Sequence, residues 1–229
     1  MASTFFGLHI GSSALSSFQV ATNTTANNIA NVKTTGYTRQ EATLQAKDAI
    51  NVTARYGSVG TGVTVTSIKQ QRDLYYDNKY WENNSCYGRY EQKLYYMEQI
   101  QNYFKDNGSS VNGFSSVFSQ MFSDLDTLRS KPSDKTVRNQ FISSAQSLCT
   151  YFNQMSDNLS KLQDDCNEEI RNNVDKINSI SEKISLLNKE INQIETGTGV
   201  EAGSLRDERA NLIDSLSKIV NVSYNETEV

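Results

Sequence analysis

The chain has 229 residues, 37% of them hydrophobic, with a formal net charge of -4, one proline, one histidine and three cysteines. This balance gives no broad basic field for nucleic acid, and three cysteines make no disulfide framework. A single proline leaves room for long uninterrupted helices, since each interior proline would cost about 3 kcal/mol.

Residues 1–32 contain no Asp, Glu, Lys or Arg, and the first formal charge is Lys33. The segment lacks a basic n-region and a clean apolar h-region, so it does not read as a cleavable secretory signal. A helical reading places Leu8, Leu15 and Phe18 on one side, with Ala14 and Ala21 close by. Phe5, Phe6, Ile10, Val20 and Ile29 add to the apolar supply. A helix bathed in water carries charges on its outer face. This one is charge-free yet too polar for lipid, which implies packing among other protein helices. A flexible Ser/Thr-rich tail is the competing reading on composition alone. Asn27, Asn28 and Asn31 bring the helix toward its end, because Asn tolerates the left-handed conformation that closes helices. Thr34-Thr35-Gly36-Tyr37 reads as a turn, with Gly36 free to take positive φ.

From 38 to 60 the pattern is weak and reads as short extended pieces or loop. Gly60-Thr61-Gly62 punctuates, and Val63, Val65 and Ile68 suggest a strand. A long helix is predicted over about 70–106. Tyr76, Tyr80, Asn83, Tyr87, Tyr90, Leu94, Met97, Gln101 and Phe104 step by four and three, which is heptad spacing. Asn107-Gly108-Ser109-Ser110 breaks it. A shorter helix over about 114–128 places Phe114, Phe118, Phe122 or Met121, Leu125 and Leu128 on one face. Lys131-Pro132-Ser133-Asp134 ends that helix and starts the next, with Ser133 or Asp134 available as a cap.

The second long helix is predicted over about 134–195. Phe141, Ala145, Leu148, Phe152, Met155, Leu159, Leu162 and Cys166 keep the four-three rhythm. Ile170 and Val174 add two steps of four, a stutter. Ile177, Ile180, Ile184, Leu187, Ile191 and Ile194 resume it. Roughly 60 residues at about 1.5 Å each suit a rod-shaped bundle better than a small globule. Residues 196–203 form a Gly-rich loop, Ser204 with Asp207 resembles a capping box, and Leu205, Arg209, Leu212, Leu216 and Ile219 define a last helical face. Val220, Val222 and Tyr224 alternate as a strand running to Val229. The fold class expected is mainly α: long antiparallel helices in an elongated coiled-coil-like bundle with a few short strands.

No chemistry assembles. His9 sits among apolar or small neighbours, so no Ser/His/Asp arrangement forms. A zinc site needs about four N/S ligands, and Cys86, Cys149 and Cys166 form no CxxC pair. Asp164-Asp165 and Glu168-Glu169 read as a solvated helix face, and Gly197-Thr198-Gly199 is not a phosphate loop. The Asn51-Val52-Thr53 triplet carries no function. The expectation is no catalytic site, no cofactor, no metal and no membrane span.

Ala26-Asn27-Asn28-Ile29-Ala30-Asn31, continuing through Thr35-Gly36-Tyr37-Thr38-Arg39-Gln40, resembles the N-terminal signature of flagellar rod, hook and hook-associated proteins. Further stretches resemble the hook-associated protein 1 family within that group. They are Ser3-Thr4-Phe5-Phe6-Gly7-Leu8; Gly62-Val63-Thr64-Val65 with Ile68 and Asp73; Pro132-Ser133-Asp134 with Arg138, Ala145-Gln146-Ser147-Leu148 and Phe152; and Ser204-Leu205-Arg206-Asp207-Glu208-Arg209 with Leu212, Ile213 and Leu216. Hook, rod and flagellin-like proteins are the nearest alternatives, and a non-flagellar coiled-coil binding protein is the alternative of another class. The resemblance implies a structural junction adaptor between hook and filament, outside the cell on the flagellum. It implies export by the type III apparatus and a ring of copies meeting hook protein and further hook-associated or filament proteins. It implies an inner terminal helix over 1–40 and a helical-bundle domain over 41–229, with 220–229 starting a strand toward an outer domain. It also implies later helices that return to complete the inner ones. The packing residues carried by the signature are Phe5, Phe6, Leu8, Leu15, Phe18, Asn27, Asn28, Ile29, Asn31, Gly36 and Tyr37, with Ile184 and Leu187 on the long seam.

Overall fold

The computed structural model describes residues 5–51, 57–104 and 113–225. Ser3 and Thr4, the Thr53 end of the Asn51 triplet, the break at 107–110 and the last four residues lie outside the described residues. The protein is mainly α, 73% helical, with five helices and a few short antiparallel strands among the described residues. In chain order these are α1 (Phe6–Ala30), β1 (Gln40–Ala46), β2 (Ile50–Asn51), β3 (Ser58–Val59), β4 (Val63–Gln70), α2 (Leu74–Tyr103), α3 (Phe114–Ser130), α4 (Lys135–Thr198) and α5 (Gly203–Ser217). The chain divides into two compact units, Met1–Cys86 with Ile177–Val229, and Tyr87–Lys176.

In the first unit, β1 and β4 pair antiparallel from Gln40↔Gln70 to Thr43↔Ser67. A bulge between Thr43 and Leu44 then shifts the register, so that Leu44 faces Val65 and Ala46 faces Val63. β2 and β3 make a second, two-residue pairing. α1 lies against β1 and β4. Its buried or half-buried positions are Phe6, Ile10, Ser13, Ala14, Ser17, Val20, Ala21, Thr24 and Asn28, a face of mostly small side chains. The Ser17 hydroxyl donates to the Val63 carbonyl at 3.2 Å. Gly62, at φ +108°, passes so close that a Cβ there would stand 2.2 Å from Ser13 Oγ.

The buried apolar side chains of this unit include Trp81, Ile180, Leu187, Ile191, Ala210 and Ile213. Trp81, 2% exposed, donates its indole N–H to Asp214 Oδ1 at 2.6 Å and meets the Tyr224 ring edge-on at 5.7 Å. A buried indole needs such a partner, because an unpaired donor there would lose its water without replacement. Asn84 Nδ2 donates to the fully buried Ser217 hydroxyl at 2.8 Å. Where α4 gives way to α5, Arg206 grips Glu195 through two bonds at 2.7 and 2.8 Å, and the Ala202 N–H donates to the same carboxylate at 2.9 Å.

In the second unit, Asp134 caps α4 by accepting the Thr136 N–H at 2.8 Å, as the sequence predicts. Arg138 Nε donates to the Pro132 carbonyl at 2.7 Å and ties the turn to the helix. Met155 and Leu162 of α4 are buried. Glu169 of α4 accepts from Gln92 Nε2 at 2.6 Å and from the Tyr96 hydroxyl. That bond, then burial and the Glu169 charge, hold the Tyr96 hydroxyl well above the ordinary phenol value.

Four sequence readings change. Val220, Val222 and Tyr224 form no strand among the described residues; Tyr224 packs instead on Trp81 and under the Arg209 guanidinium. Ser204 and Asp207 make no capping box. α5 starts after Ala202 without a side-chain cap bond, because Asp207 is turned toward β1 and β4. Asn31 closes α1 at φ -99°, so the left-handed step falls on Gly36 alone in this turn. The stutter at Ile170 and Val174 does not enter the inner stripe: both are exposed, and Glu169 and Asn173 face inward in their place.

Candidate assembly surface

α1 is inverted relative to a globular surface helix. Leu8, Leu15, Thr22 and Ile29 recur at seven-residue intervals, as do Gly11, Phe18, Thr25 and Val32. This is a heptad stripe, and the chain leaves it open. Leu8 and Leu15 are 70% exposed, Val32 is 76% exposed, and Phe18 and Ile29 also face outward. Phe5 is exposed and Phe6 half-buried. A run of large apolar side chains on one neutral face marks a surface that another polypeptide covers.

The Asn and Gly residues of the signature do different work. They lock the end of α1 to the root of β1. Asn28 Nδ2 donates to the Gln40 carbonyl at 2.8 Å, while Asn28 Oδ1 accepts the Gln40 N–H at 2.9 Å. The Tyr37 hydroxyl donates to Asn28 Oδ1 at 2.9 Å and accepts from Asn27 Nδ2 at 3.1 Å. Asn31 Nδ2 donates to the side chain and the carbonyl of Asn27. Gly36, at φ +76°, faces Asn211 of α5, where a Cβ would stand 1.8 Å from the Asn211 side chain. That backbone angle favours glycine, and any side chain there would also have to displace the Asn211 amide. Burial, and then the charge of Asp207, raise the Tyr37 hydroxyl above its ordinary value, which keeps it a donor.

The same inversion recurs on other helices. In α2 the predicted seam residues Tyr76, Tyr80, Tyr87, Tyr90, Leu94 and Met97 are all exposed, Tyr90 at 62%. The inward positions include Trp81, Asn84, Gly88, Gln92 and Tyr96. In α3 the predicted face divides: Phe114, Phe118, Phe122 and Leu125 are exposed, Met121 and Leu128 are half-buried, and Asp124 turns inward. Phe118 contacts Phe114 and Phe122, with ring centroids 5.3 and 4.7 Å apart, and Phe114 approaches Tyr151 and Phe152. The long seam of α4 behaves as predicted over much of its length, with Ile184 half-buried and Leu187 buried. Sequence reasoning missed Asp207. It noted the Asp-bearing stretch of α5 but read it as a local cap, and nothing in local spacing points across 169 residues to Thr38.

Among the described residues no group of three or more His, Cys, Asp or Glu side chains could hold a metal ion. No helix of the described residues is long and apolar enough to cross a membrane.

The family model for the flagellar hook-associated protein FlgK helical domain matches residues 97–228, more than half of the chain. The chain belongs to the FlgK helical-domain family of flagellar hook-associated proteins. The model for flagella basal body rod protein matches residues 8–38, the stretch that holds the open stripe of α1 and its clasp. Flagellar hook-associated protein 1 of Bacillus subtilis (strain 168) is 34% identical over 99% of this chain and 46% of its own length. The protein of the same name in Salmonella typhimurium is 32% identical over 93% of this chain and 38% of its own length, and that of Escherichia coli (strain K12) is 30% identical over 93% of this chain. The chain thus spans less than half the length of these relatives. No solved structure matches it. The FlgK helical-domain match bears out the resemblance at the level of the hook-associated family, ahead of hook, rod or flagellin.

Proposed function

We propose that this chain is the N-terminal part of a structural, self-assembling component of the bacterial flagellum that joins hook to filament. The carrying observation is the open heptad stripe of α1. A helix without a single formal charge, whose mostly small face packs on its own chain and whose Leu8, Leu15, Phe18 and Ile29 face outward, is built to be covered by other polypeptide. Its apolar side chains each contribute about 1.5–3 kcal/mol when buried, which a lone chain forgoes and an assembly recovers. The open faces of α2 and α3 fit the same reading, with the remainder of a longer protein and neighbouring copies as the covering chains. In this reading α1 within residues 1–40 is the inner layer and 41–229 contributes to a helical-bundle layer. Copies form a ring that meets hook protein on one side and further hook-associated or filament proteins on the other. The subunit reaches the flagellum outside the cell through the type III export apparatus without a cleaved signal, and it performs no catalysis.

The test substitutes Leu15→Asp together with Phe18→Asp in the full-length protein of the source bacterium. Both positions are exposed in this chain, so the variant leaves its core intact, and circular dichroism of the purified full-length variant checks that it folds. Hooks without filaments, and no labelled subunit at the hook tip, are the expected result. Normal filaments carrying the variant would overturn the reading.

A further inference from the structure

Two sequence stretches far apart meet at one buried carboxylate. Asp207 of α5, 9% exposed, accepts the Thr38 N–H on Oδ2 at 3.3 Å and Gln70 Nε2 on Oδ1 at 2.8 Å. Thr38 follows the Gly36-Tyr37 turn that ends the α1 clasp, and Gln70 is the last residue of β4. Gln70 Nε2 also donates to the Gly203 carbonyl at 2.9 Å, and the Gln70 N–H donates to Glu201 Oε2 at 3.1 Å. Gly36 lies against Asn211, one turn further along α5. From Asn28 to Asn211, the named contacts across this joint are polar, and large apolar side chains of the unit such as Trp81, Ile213 and Leu187 are not among them. α1 is held along β1 and β4 by its own packing, so what this joint orients against α5 is α1 together with that strand pair, and it does so by hydrogen-bond geometry, which is angular.

The structure assigns to Asp207 the role of a positioning residue that fixes the direction of α1, with its strand pair, against α5. The helix bearing Asp207 is the socket, and the α1–β1 turn is the plug. Neighbouring Arg206 closes the α4–α5 corner on Glu195 and also lies 3.7 Å from Glu201, the acceptor of the Gln70 N–H. The consequence for assembly rests on the reading proposed above, since an adaptor must present its inner helix at a set angle to its neighbours. The assignment itself concerns this chain alone.

The experiment uses the 229-residue chain with Cys86, Cys149 and Cys166 replaced by serine and spin labels at Ser16 of α1 and Ser215 of α5, both exposed. The parent gives one narrow distance distribution by pulsed electron resonance. Asp207→Ala at least doubles its width while Trp81 emission stays at the parent's wavelength, and the thermal midpoint falls because two part-buried donors lose an acceptor. Asp207→Asn, which keeps one acceptor oxygen, recovers part of the narrowing, and Glu208→Ala, one residue along and exposed, changes nothing. An unchanged width in Asp207→Ala overturns the assignment, as does a widening that comes with a red-shifted Trp81 or that Glu208→Ala shares. Either failure leaves the assembly reading standing, because that reading is tested by filament growth.

Discussion

At the residue scale, the signature is a set of polar bonds. Asn28 is its hub: it satisfies both backbone groups of Gln40 and takes the Tyr37 hydroxyl. Asn28→Ala removes all three bonds and leaves the Gln40 amide without a protein partner on that side. At about 0.5–1.5 kcal/mol net per bond, the three bonds amount to a loss of about 1.5–4.5 kcal/mol for the first unit in urea unfolding followed by Trp81 emission, and Asn27→Ala should lose less. A second residue-scale prediction concerns pH. The Glu195 carboxyl is held below its ordinary value of 4.5, chiefly by the Arg206 bond, which outweighs the opposing effect of burial, and then by the Ala202 N–H and the charges of Arg206 and Arg209. A depressed native value means that the pair's stabilisation is fully present above pH 4.5 and fades as pH falls through the native value. Unfolding of the parent and Glu195→Gln should therefore differ most near neutral pH and converge in acid. A gap that persists unchanged in acid would show that the ion pair is not its source.

At the element scale, legibility depended on where a helix finds its cover. The stripe of α4 was readable through Met155, Leu162, Ile180, Leu187 and Ile191, because these bury against the same chain. The stripes of α1, α2 and α3 were equally readable as stripes, but spacing cannot say whether the partner is in the same chain. Tyr90 and Leu94 sit at heptad positions and stay open, while Asn84 and Gln92 face inward. The bulge at Thr43 and the reach of Asp207 to Thr38 were not legible, since both arise from pairing distant segments rather than from local pattern. A paired substitution separates the two kinds of stripe. Leu187→Asp places an unpaired charge at a position 6% exposed and should destabilise the first unit by several kcal/mol, about the 3–5 kcal/mol typical of an uncompensated buried charge. Leu15→Asp alone, at an open position, should leave the thermal midpoint within about a degree or two, as surface substitutions stay within about 0.5 kcal/mol. Equal losses from both would mean that α1 is covered by its own chain.

At the scale of the whole molecule, the open faces set how the chain behaves in solution. Phe5, Leu8, Leu15, Phe18 and Ile29 on α1, Tyr87, Tyr90, Leu94 and Met97 on α2, and Phe118, Phe122 and Leu125 on α3 are together far more exposed apolar surface than a soluble monomer normally keeps. Stability and solubility should therefore come apart here: the residues that fold each unit are not the exposed apolar residues expected to make it adhesive. Substituting Tyr87, Tyr90 and Leu94 by serine should scarcely change the unfolding midpoint, because none of the three is buried in this chain. It should shift the concentration dependence of sedimentation toward the monomer and lower the binding of a hydrophobic dye. Adding Leu15→Asp should move both readouts further in the same direction, since the α1 stripe is a separate surface and well-separated sites add. If the parent chain already sediments as a monomer at every concentration and binds no dye, these faces are not adhesive, and the argument from open heptad stripes to assembly loses its physical basis.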